Sequence, residues 1–257
     1  MKYLFLIVIL SIFFISCSKE EKKETSGNAQ KKDSVQVQSK NNQVDSLRGV
    51  IDSLKDAERE SKNKTEEFSD ILYNIKNIPS EFKYSGKVVA SATWTDKNGE
   101  NYILITETKE KETPNKKYPG ERFLSKELYG YHYCFNDGNT NLLWKINDFV
   151  KDCEFDLTLD YIKKSLSITD INKDGIGEST FLYKLTCRSD VSPCDLKLIM
   201  HEGETKYAIR GSMVIKITNQ KPYGGEMNID NSFNSAPDGF LDYAKKQWNL
   251  YKTEKLN

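Results

Sequence analysis

From residue 84 onward, apolar and polar residues alternate along most of the chain, which is the period of a half-buried β-strand. The segment "KVVASATWT" places Val88, Ala90, Ala92 and Trp94 on one face. After the turn "DKNGE" (96–100), the segment "NYILITETK" repeats the alternation. Two such segments with a short turn between them predict a β-hairpin.

The same alternation recurs farther along the chain. It is present in "ELYGYHYCF", "EFDLTL", "STFLYKLTC", "DLKLIMH" and "KYAIRGSMVIKIT". About eight predicted strands joined by short turns are typical of an antiparallel meander. The predicted fold class is therefore mainly β, an antiparallel meander that is sandwich- or barrel-like.

A helix is predicted at the C-terminus. Phe240, Ala244, Trp248 and Tyr251 recur at helical spacing, so they share one face. They follow the segment 235–238 (Ser-Ala-Pro-Asp), which is typical of a capping box with proline in the first turn. We expect this helix to pack its apolar face on the sheet.

A helical pattern of a different kind precedes the strands. The near-repeats "VDSLRGV" (44–50) and "IDSLKDA" (51–57) place apolar residues at a/d spacing. A second apolar stripe is formed by Phe68, Ile71, Leu72 and Ile75. Residues 43–78 are therefore predicted to form a helical stalk packed on the domain. The alternative is a short coiled coil that joins copies of the chain.

Aromatic residues are concentrated in the C-terminal part of the chain. Of 29 aromatics, four lie in the first 17 residues, two in 18–78 and 23 in 79–257. Because a core needs large apolar side chains to offset chain entropy, residues 79–257 are predicted to form the β-rich domain. Residues 18–42 are polar, with almost nothing to bury, so they are predicted to be a disordered tether.

The first residues have the features of an export signal. Lys2 precedes a thirteen-residue apolar run, Tyr3 to Ile15, which is too short to span a bilayer. The run ends at Ile15-Ser16-Cys17, which resembles a bacterial lipobox, although Phe14 departs from the usual leucine. Residues 1–17 are predicted to be a lipoprotein signal peptide with Cys17 as the lipidated residue. The alternative is an ordinary signal peptide that happens to contain a cysteine.

The segment after Cys17 bears on location. "SKEEKKE" resembles the short export signal of Bacteroidetes lipoproteins destined for the outer face of the outer membrane. Acyl chains would supply the membrane contact, at about 0.8 kcal/mol per buried CH₂. We expect an exported protein that is lipid-anchored to the outer membrane and faces the cell surface. The alternative orientation faces the periplasm.

Four cysteines remain, which is an even number in a chain predicted to be exported. Two disulfides are therefore expected, and three pairings are possible. The favoured pairs are Cys187–Cys194, which closes "CRSDVSPC", and Cys134–Cys153. Neither a CxxC motif nor a Cys/His ligand spacing is present, so zinc is not expected.

The segment "SITDINKDGIGES" (167–179) resembles a calcium loop, with Gly175 at the sharp turn. The predicted ligands are Asp170, Asn172, Asp174, the carbonyl of Ile176, and Glu178. Phe181 occupies the position where an EF-hand has a bidentate Glu, and the flanking segments are predicted strands, so a calcium sensor is excluded. A weakly held structural Ca²⁺ is predicted. The alternative is an Asx-rich hairpin turn without metal.

Charge and motifs limit the possible activities. The chain has 38 basic and 38 acidic residues, and a balanced charge argues against a nucleic-acid partner. His132 and His201 are the only histidines, and no nucleophile elbow, zincin, P-loop or dinucleotide motif is present. We expect no catalytic residues, and the enzyme question is undecided but leans towards a non-catalytic protein. A carboxylate pair acting on glycans is the enzymatic alternative.

Tyr129, Tyr131 and Tyr133 form a row at strand spacing. Aromatic faces pack well on sugar rings, so the row is a candidate sugar-binding platform, although such a row is more often a buried strand face. Separately, three Asp-Ser-aliphatic tripeptides resemble the O-glycosylation acceptor of exported Bacteroidetes proteins. Their serines are Ser34, Ser46 and Ser53.

Several segments together resemble one family, the Bacteroidetes lipoproteins named for a role in surface polysaccharide biosynthesis. They are "WTDKNGENYILITET", "ELYGYHYC", "LLWKINDFVKDCEFDLTL" and "SITDINKDGIGESTFLYKLTCRSDVSPCDLKLIMHEG". The resemblance covers about residues 84–220 and implies a part in making, exporting or displaying surface polysaccharide, such as lipopolysaccharide or capsule. It supplies no catalytic residues. A surface module that binds a glycan or a protein is the alternative function.

Overall fold

The computed structural model describes residues 48–55, 68–136 and 138–254. Residues 48–55 are helical, as the a/d spacing of the stalk predicts, and all eight are exposed. No helix in these three ranges is long and apolar enough to cross a membrane. The predicted signal peptide (1–17) and tether (18–42) lie outside the described residues.

The first sheet has six strands. They are β1 (Phe68–Tyr73), β2 (Lys87–Asp96), β3 (Gly99–Glu107), β4 (Lys111–Pro114), β5 (Arg122–Asn136) and β6 (Asn139–Cys153). The strands are antiparallel in the order β1-β2-β3-β5-β6, and β4 pairs with the first residues of β5. The predicted hairpin is formed by β2 and β3.

The second sheet also has six strands. They are β7 (Asp156–Tyr161), β8 (Ser167–Thr169), β9 (Glu178–Arg188), β10 (Asp195–Glu202), β11 (Thr205–Ser212) and β14 (Met227–Ile229). Their order is β14-β11-β10-β9-β7, with β8 also beside β9. A small third sheet contains β12 (Val214–Ile215), β13 (Tyr223–Gly224) and β15 (Thr253–Glu254).

The main core lies between the two large sheets. Because side chains alternate along each strand, Trp94 and Ile103 of the first sheet share this core with Leu159, Phe181 and Ile199 of the second. All five side chains are almost completely buried. The predicted mainly β, sandwich-like fold is confirmed, and its two layers are held together by this apolar interface.

The other face of the second sheet is covered by the C-terminal helix, Phe240–Tyr251. Phe240, Ala244 and Trp248 have no exposed surface and pack on residues of β9, β10 and β11. The predicted helix and its buried face are therefore confirmed. This packing adds a third layer with its own core.

The predicted capping box is wrong. The helix begins after Gly239, whose φ of +88° favours glycine, and no side chain caps it. Ser235 instead ends a short 3₁₀-helix, Asn231–Ser235, which is capped by the side chain of Asp230. The 3₁₀-helix places Phe233 in the same core as the C-terminal helix.

The helical prediction for the second half of the stalk is also wrong. Residues Phe68–Tyr73 form strand β1, which pairs with β2. The register shifts between Ser69 and Leu72, with Asp70 at a φ of +58°, which is a β-bulge. The bulge turns Phe68 and Ile71 towards the same core, so two strand residues acquire the i, i+3 spacing of a helix. The folded domain therefore includes Phe68–Tyr73, which precede the predicted start at 79.

Both predicted disulfide pairs are wrong, because the bond joins Cys153 to Cys187. Cys153 is opposite Leu124 in the β5–β6 ladder, ten residues from Cys134 along β5. Ten residues of strand span roughly 33 Å, far more than a disulfide can bridge. The bond instead connects the last residue of β6 with β9, so it joins the two sheets.

Cys134 and Cys194 are free and buried in different places. The Cys134 thiol donates to the Asn98 carbonyl at 3.1 Å. Cys194 lies in the core under the C-terminal helix, where its thiol contacts the Glu254 carboxylate at 3.3 Å. Cys187 and Cys194 therefore lie on different faces of the second sheet, which prevents the short-loop pairing.

We predict that Cys153→Ser lowers the free energy of unfolding by about 3–4 kcal/mol, because the bond closes a long loop in the unfolded chain. Urea unfolding of the two proteins without reductant measures this difference. Reduced wild type serves as the control, and it should unfold like the variant. Equal stability of oxidised wild type and Cys153→Ser would contradict the pairing.

Candidate functional site

The predicted calcium loop connects β8 and β9, and its own polar side chains shape it. Asp170 Oδ2 accepts from the Gly175 amide at 3.2 Å, and Asp174 Oδ1 accepts from the Ile176 amide at 2.8 Å. Asn172 Oδ1 accepts from the Asp174 amide at 3.2 Å. Asn172 and Asp174 therefore each close an Asx turn, whereas Asp170 accepts from an amide five residues ahead.

Glu178 closes the base of the loop. Its carboxylate accepts from the Thr169 hydroxyl at 2.9 Å and from the Ile171 amide at 3.0 and 3.2 Å. The pKa of Glu178 is raised to about 7, chiefly by burial and to a smaller extent by the carboxylates of Glu202 and Asp170, against the lowering effect of these hydrogen bonds. Glu178 therefore titrates near neutral pH.

Asp170 keeps one oxygen without a partner. Its Oδ1 atom is buried and accepts no hydrogen bond from any described residue, although Oδ2 is engaged. Asn172 Nδ2 donates to Glu202 Oε1 at 2.8 Å and to Asp174 Oδ2 at 3.1 Å, which draws a fourth carboxylate to the loop. Burial, and then the charge of Asp174, raises the pKa of Glu202.

In the described part of the chain, no group of three or more His, Cys, Asp or Glu side chains converges as metal ligands would. The five predicted ligands are thus brought into one loop, but their hydrogen bonds go mainly to the backbone. The calcium assignment stays a prediction.

Sequence reasoning missed the residues that hold this loop against the first sheet. Asp96 Oδ2 accepts from the Gly177 amide and from Trp94 Nε1, each at 2.9 Å. The Lys97 amide donates to the Gly175 carbonyl at 3.0 Å, and its ammonium donates to the Asp174 carbonyl. A Cβ at Gly177 would lie 2.4 Å from Trp94 Nε1, so only glycine fits. Asp96 and Lys97 belong to the turn "DKNGE", which predicted a hairpin but gave no indication of a contact with the loop.

Both histidines lie inside the sandwich. His132 on β5 has Nε2 at 3.0 Å from Asn101 Oδ1, and its ring is 5.0 Å from that of Trp94. His201 on β10 stacks on Trp144 with ring centroids 4.0 Å apart. The Nδ1 atoms of both histidines are buried, with no hydrogen-bond partner among the described residues. Proton exchange with a bound substrate is therefore not available to either ring in this arrangement.

Burial lowers the pKa of His132 and of His201 to about 3, and for His201 the charges of Lys206 and His132 contribute as well. Both imidazoles are therefore neutral in the folded protein at ordinary pH. The unfolded chain protonates histidine near pH 6.5, whereas the folded chain does not. Protonation below pH 6.5 therefore stabilises the unfolded chain relative to the folded one.

The tyrosine row is part of a core rather than an open platform. Tyr131 and Tyr133 are 2% and 6% exposed, and Phe82 stacks on Tyr133 with centroids 4.2 Å apart. The Tyr133 hydroxyl donates to the Lys83 carbonyl at 2.6 Å. Tyr129 is partly buried beside Tyr131. The segment before β2 therefore covers the face on which a sugar would have to stack.

Three of the four predicted modification sites, Cys17, Ser34 and Ser46, lie outside the described residues. Ser53 lies in the exposed helix 48–55, and its hydroxyl donates to the Gly49 carbonyl at 2.9 Å. Lipidation and glycosylation stay predictions.

Comparisons with protein families, with curated proteins and with solved structures found no match to this chain.

We predict that acid destabilises the protein partly through its histidines. Stability that is present above pH 6.5 should be lost as pH falls towards 3, because the unfolded chain binds protons that the folded chain excludes. His201→Phe keeps a flat ring on Trp144 but removes one titrating group. Between pH 7 and 4.5, wild type should lose about 2–3 kcal/mol more unfolding free energy than the variant.

Urea unfolding of both proteins at the two pH values measures the difference. The carboxylates titrate in both proteins and cancel in the comparison. Equal losses in wild type and His201→Phe would show that the imidazole does not contribute.

Proposed function

We propose that this chain is an exported, lipid-anchored lipoprotein that serves as a non-catalytic accessory factor in surface polysaccharide biosynthesis or display. The observation that carries the export part is the bond between Cys153 and Cys187. Disulfides persist in oxidising compartments, which agrees with a signal peptide that ends at Cys17. The resemblance of residues 84–220 supplies the link to polysaccharide.

The buried histidines support the non-catalytic part of the proposal. General acid–base catalysis needs a group within hydrogen-bond reach of a substrate proton. His132 and His201 are 2% and 3% exposed, and both rings pack against Trp144 of the first sheet. The side chains that most often perform such chemistry are thus used in the core.

We predict that a clean deletion of the gene reduces or shortens surface polysaccharide, and that wild-type protein supplied from elsewhere restores it. Cys17→Ala should fractionate away from the membrane and restore polysaccharide poorly, because it lacks the acyl anchor. Gel analysis of extracted polysaccharide and membrane fractionation are the measurements. Normal polysaccharide in the deletion strain would refute the proposal.

We also propose that the loop 170–178 binds Ca²⁺ with a structural role. The observation in its favour is Asp170 Oδ1, a buried oxygen that no described residue satisfies. Asp170 Oδ2 accepts the Gly175 amide, which shapes the loop and leaves the Oδ1 atom of the same carboxylate for a cation. Calcium takes such oxygen ligands, and a set without the bidentate Glu binds weakly.

We predict that calcium at about ten times its Kd raises the melting temperature of wild type by about 3–5 °C. Asp170→Asn should lose most of this shift. Asp190→Asn is the matched control, because Asp190 also accepts a backbone amide, from Ser192 at 2.9 Å, but outside the loop. Absence of a calcium shift in wild type, measured beside magnesium, would refute the metal.

A further inference from the structure

A long groove crosses one side of the domain where both sheets and the C-terminal helix meet. Its main part has a volume of about 1070 Å³, at the upper end of the range for ligand sites. The walls come from the start of β2, the end of β7 and the residues after it, β9, and the end of the C-terminal helix. A second depression of about 430 Å³ lies elsewhere and shares none of these walls.

Lysines dominate the charge of this lysine groove, as we call it. They are Lys87, Lys163, Lys164 and Lys184. The first three are exposed, and none of the four forms a salt bridge with any residue in the described ranges. Lys163 and Lys164 are adjacent, and Tyr251 fixes the backbone between β7 and β8 by donating its hydroxyl to the Lys164 carbonyl at 2.5 Å.

The carboxylates of the groove form ion pairs with cations outside the lysine set. Glu107 and Asp160 each lie 2.8 Å from the ammonium of Lys126, and Glu254 lies 2.6 Å from Arg188. Lys126 therefore offsets one of the two charges of Glu107 and Asp160, and Arg188 offsets the charge of Glu254. The four lysines of the groove exceed the one carboxylate charge that is left, so the groove is positive in a chain whose overall formal charge is zero.

The groove also offers apolar surface and length. Leu250 and Val89 are 68% and 38% exposed, and the ring of Tyr251 stands beside them. A further depression of about 420 Å³ shares Val89, Lys163 and Lys164 with the groove and extends it to Tyr73. Positive charge interleaved with apolar and aromatic surface along an elongated groove suits a chain ligand rather than a compact one.

We propose that the lysine groove binds a segment of an acidic polysaccharide, with its carboxylate or sulfate groups on the lysines and its ring faces on Tyr251 and Leu250. The choice of a sugar polymer rests on the proposed function, whereas the requirement for negative charge comes from the groove itself. A flat bilayer is a poorer fit, because the lysines line a concave surface that lipid headgroups cannot enter together.

The test uses the full chain in zwitterionic detergent, with polygalacturonate as the acidic probe and dextran as the neutral one. Wild type should bind polygalacturonate but not dextran, and added salt should weaken the binding. The double variant Lys163→Gln/Lys164→Gln should bind about tenfold more weakly, since two screened ion pairs are lost. Calorimetric titration gives the affinities.

The matched control is Lys116→Gln/Lys117→Gln, a second pair of adjacent exposed lysines that lies outside the groove. Its affinity should equal that of wild type. Equal weakening of both pairs, or no binding of polygalacturonate, would overturn the proposal. Binding of anionic phospholipid vesicles in place of polygalacturonate would also overturn it.

Failure of this inference and failure of the proposed function give different results. If polygalacturonate does not bind but the deletion strain lacks polysaccharide, only the groove assignment is wrong. If the deletion strain has normal polysaccharide, the accessory function is wrong, whatever the purified protein binds.

Discussion

The apolar faces of the two sheets can exclude water only if the polar groups at the edges of the sandwich form hydrogen bonds or ion pairs. Asp96 meets this requirement at one end, because its buried carboxylate accepts from Trp94 and from the Gly177 amide of the other sheet. Lys126 does so elsewhere by bridging Glu107 of the first sheet and Asp160 of the second. Both interactions connect the two layers, and they position the β8–β9 loop and the end of β7 against the first sheet.

This arrangement separates two kinds of polar surface. The carboxylates of the acidic loop accept mainly from backbone amides of the same loop, and Asp170 keeps one buried oxygen without a partner among the described residues. The lysine groove is different, because Lys163 and Lys164 are exposed and form no ion pair with any described residue. The first surface suits a structural ion, and the second suits an exchangeable ligand.

Much of the fold could be predicted because strand alternation is local. The β2–β3 hairpin and the buried face of the C-terminal helix follow directly from residue spacing. The failures have physical causes: a bulge gave Phe68 and Ile71 helical spacing, and the 3₁₀-helix displaced the expected cap. Disulfide pairing depended on which face each cysteine occupies and on the length of the β5–β6 hairpin, which spacing alone does not reveal.

The candidate site likewise has one part that residue spacing predicts and another that it does not. The loop itself could be predicted, because Asp170, Asn172 and Asp174 alternate within one short segment. Asp96 and Glu202 could not, because they reach the loop from distant segments. The groove could not be predicted from the sequence, because Lys87, Lys163 and Lys184 are brought together only by the packing of β2, β7 and β9.

The positions of the unbonded thiols bear on the order of events during maturation. Cys134 and Cys194 are protected only once β5 and the C-terminal helix have docked, because each thiol is covered by segments that come from elsewhere in the chain. An oxidase that met the chain before docking would find four competing thiols beyond Cys17. The correct disulfide forms only if the chain folds faster than its thiols are oxidised. Slow-folding variants should therefore accumulate mispaired isomers even when their native state is stable.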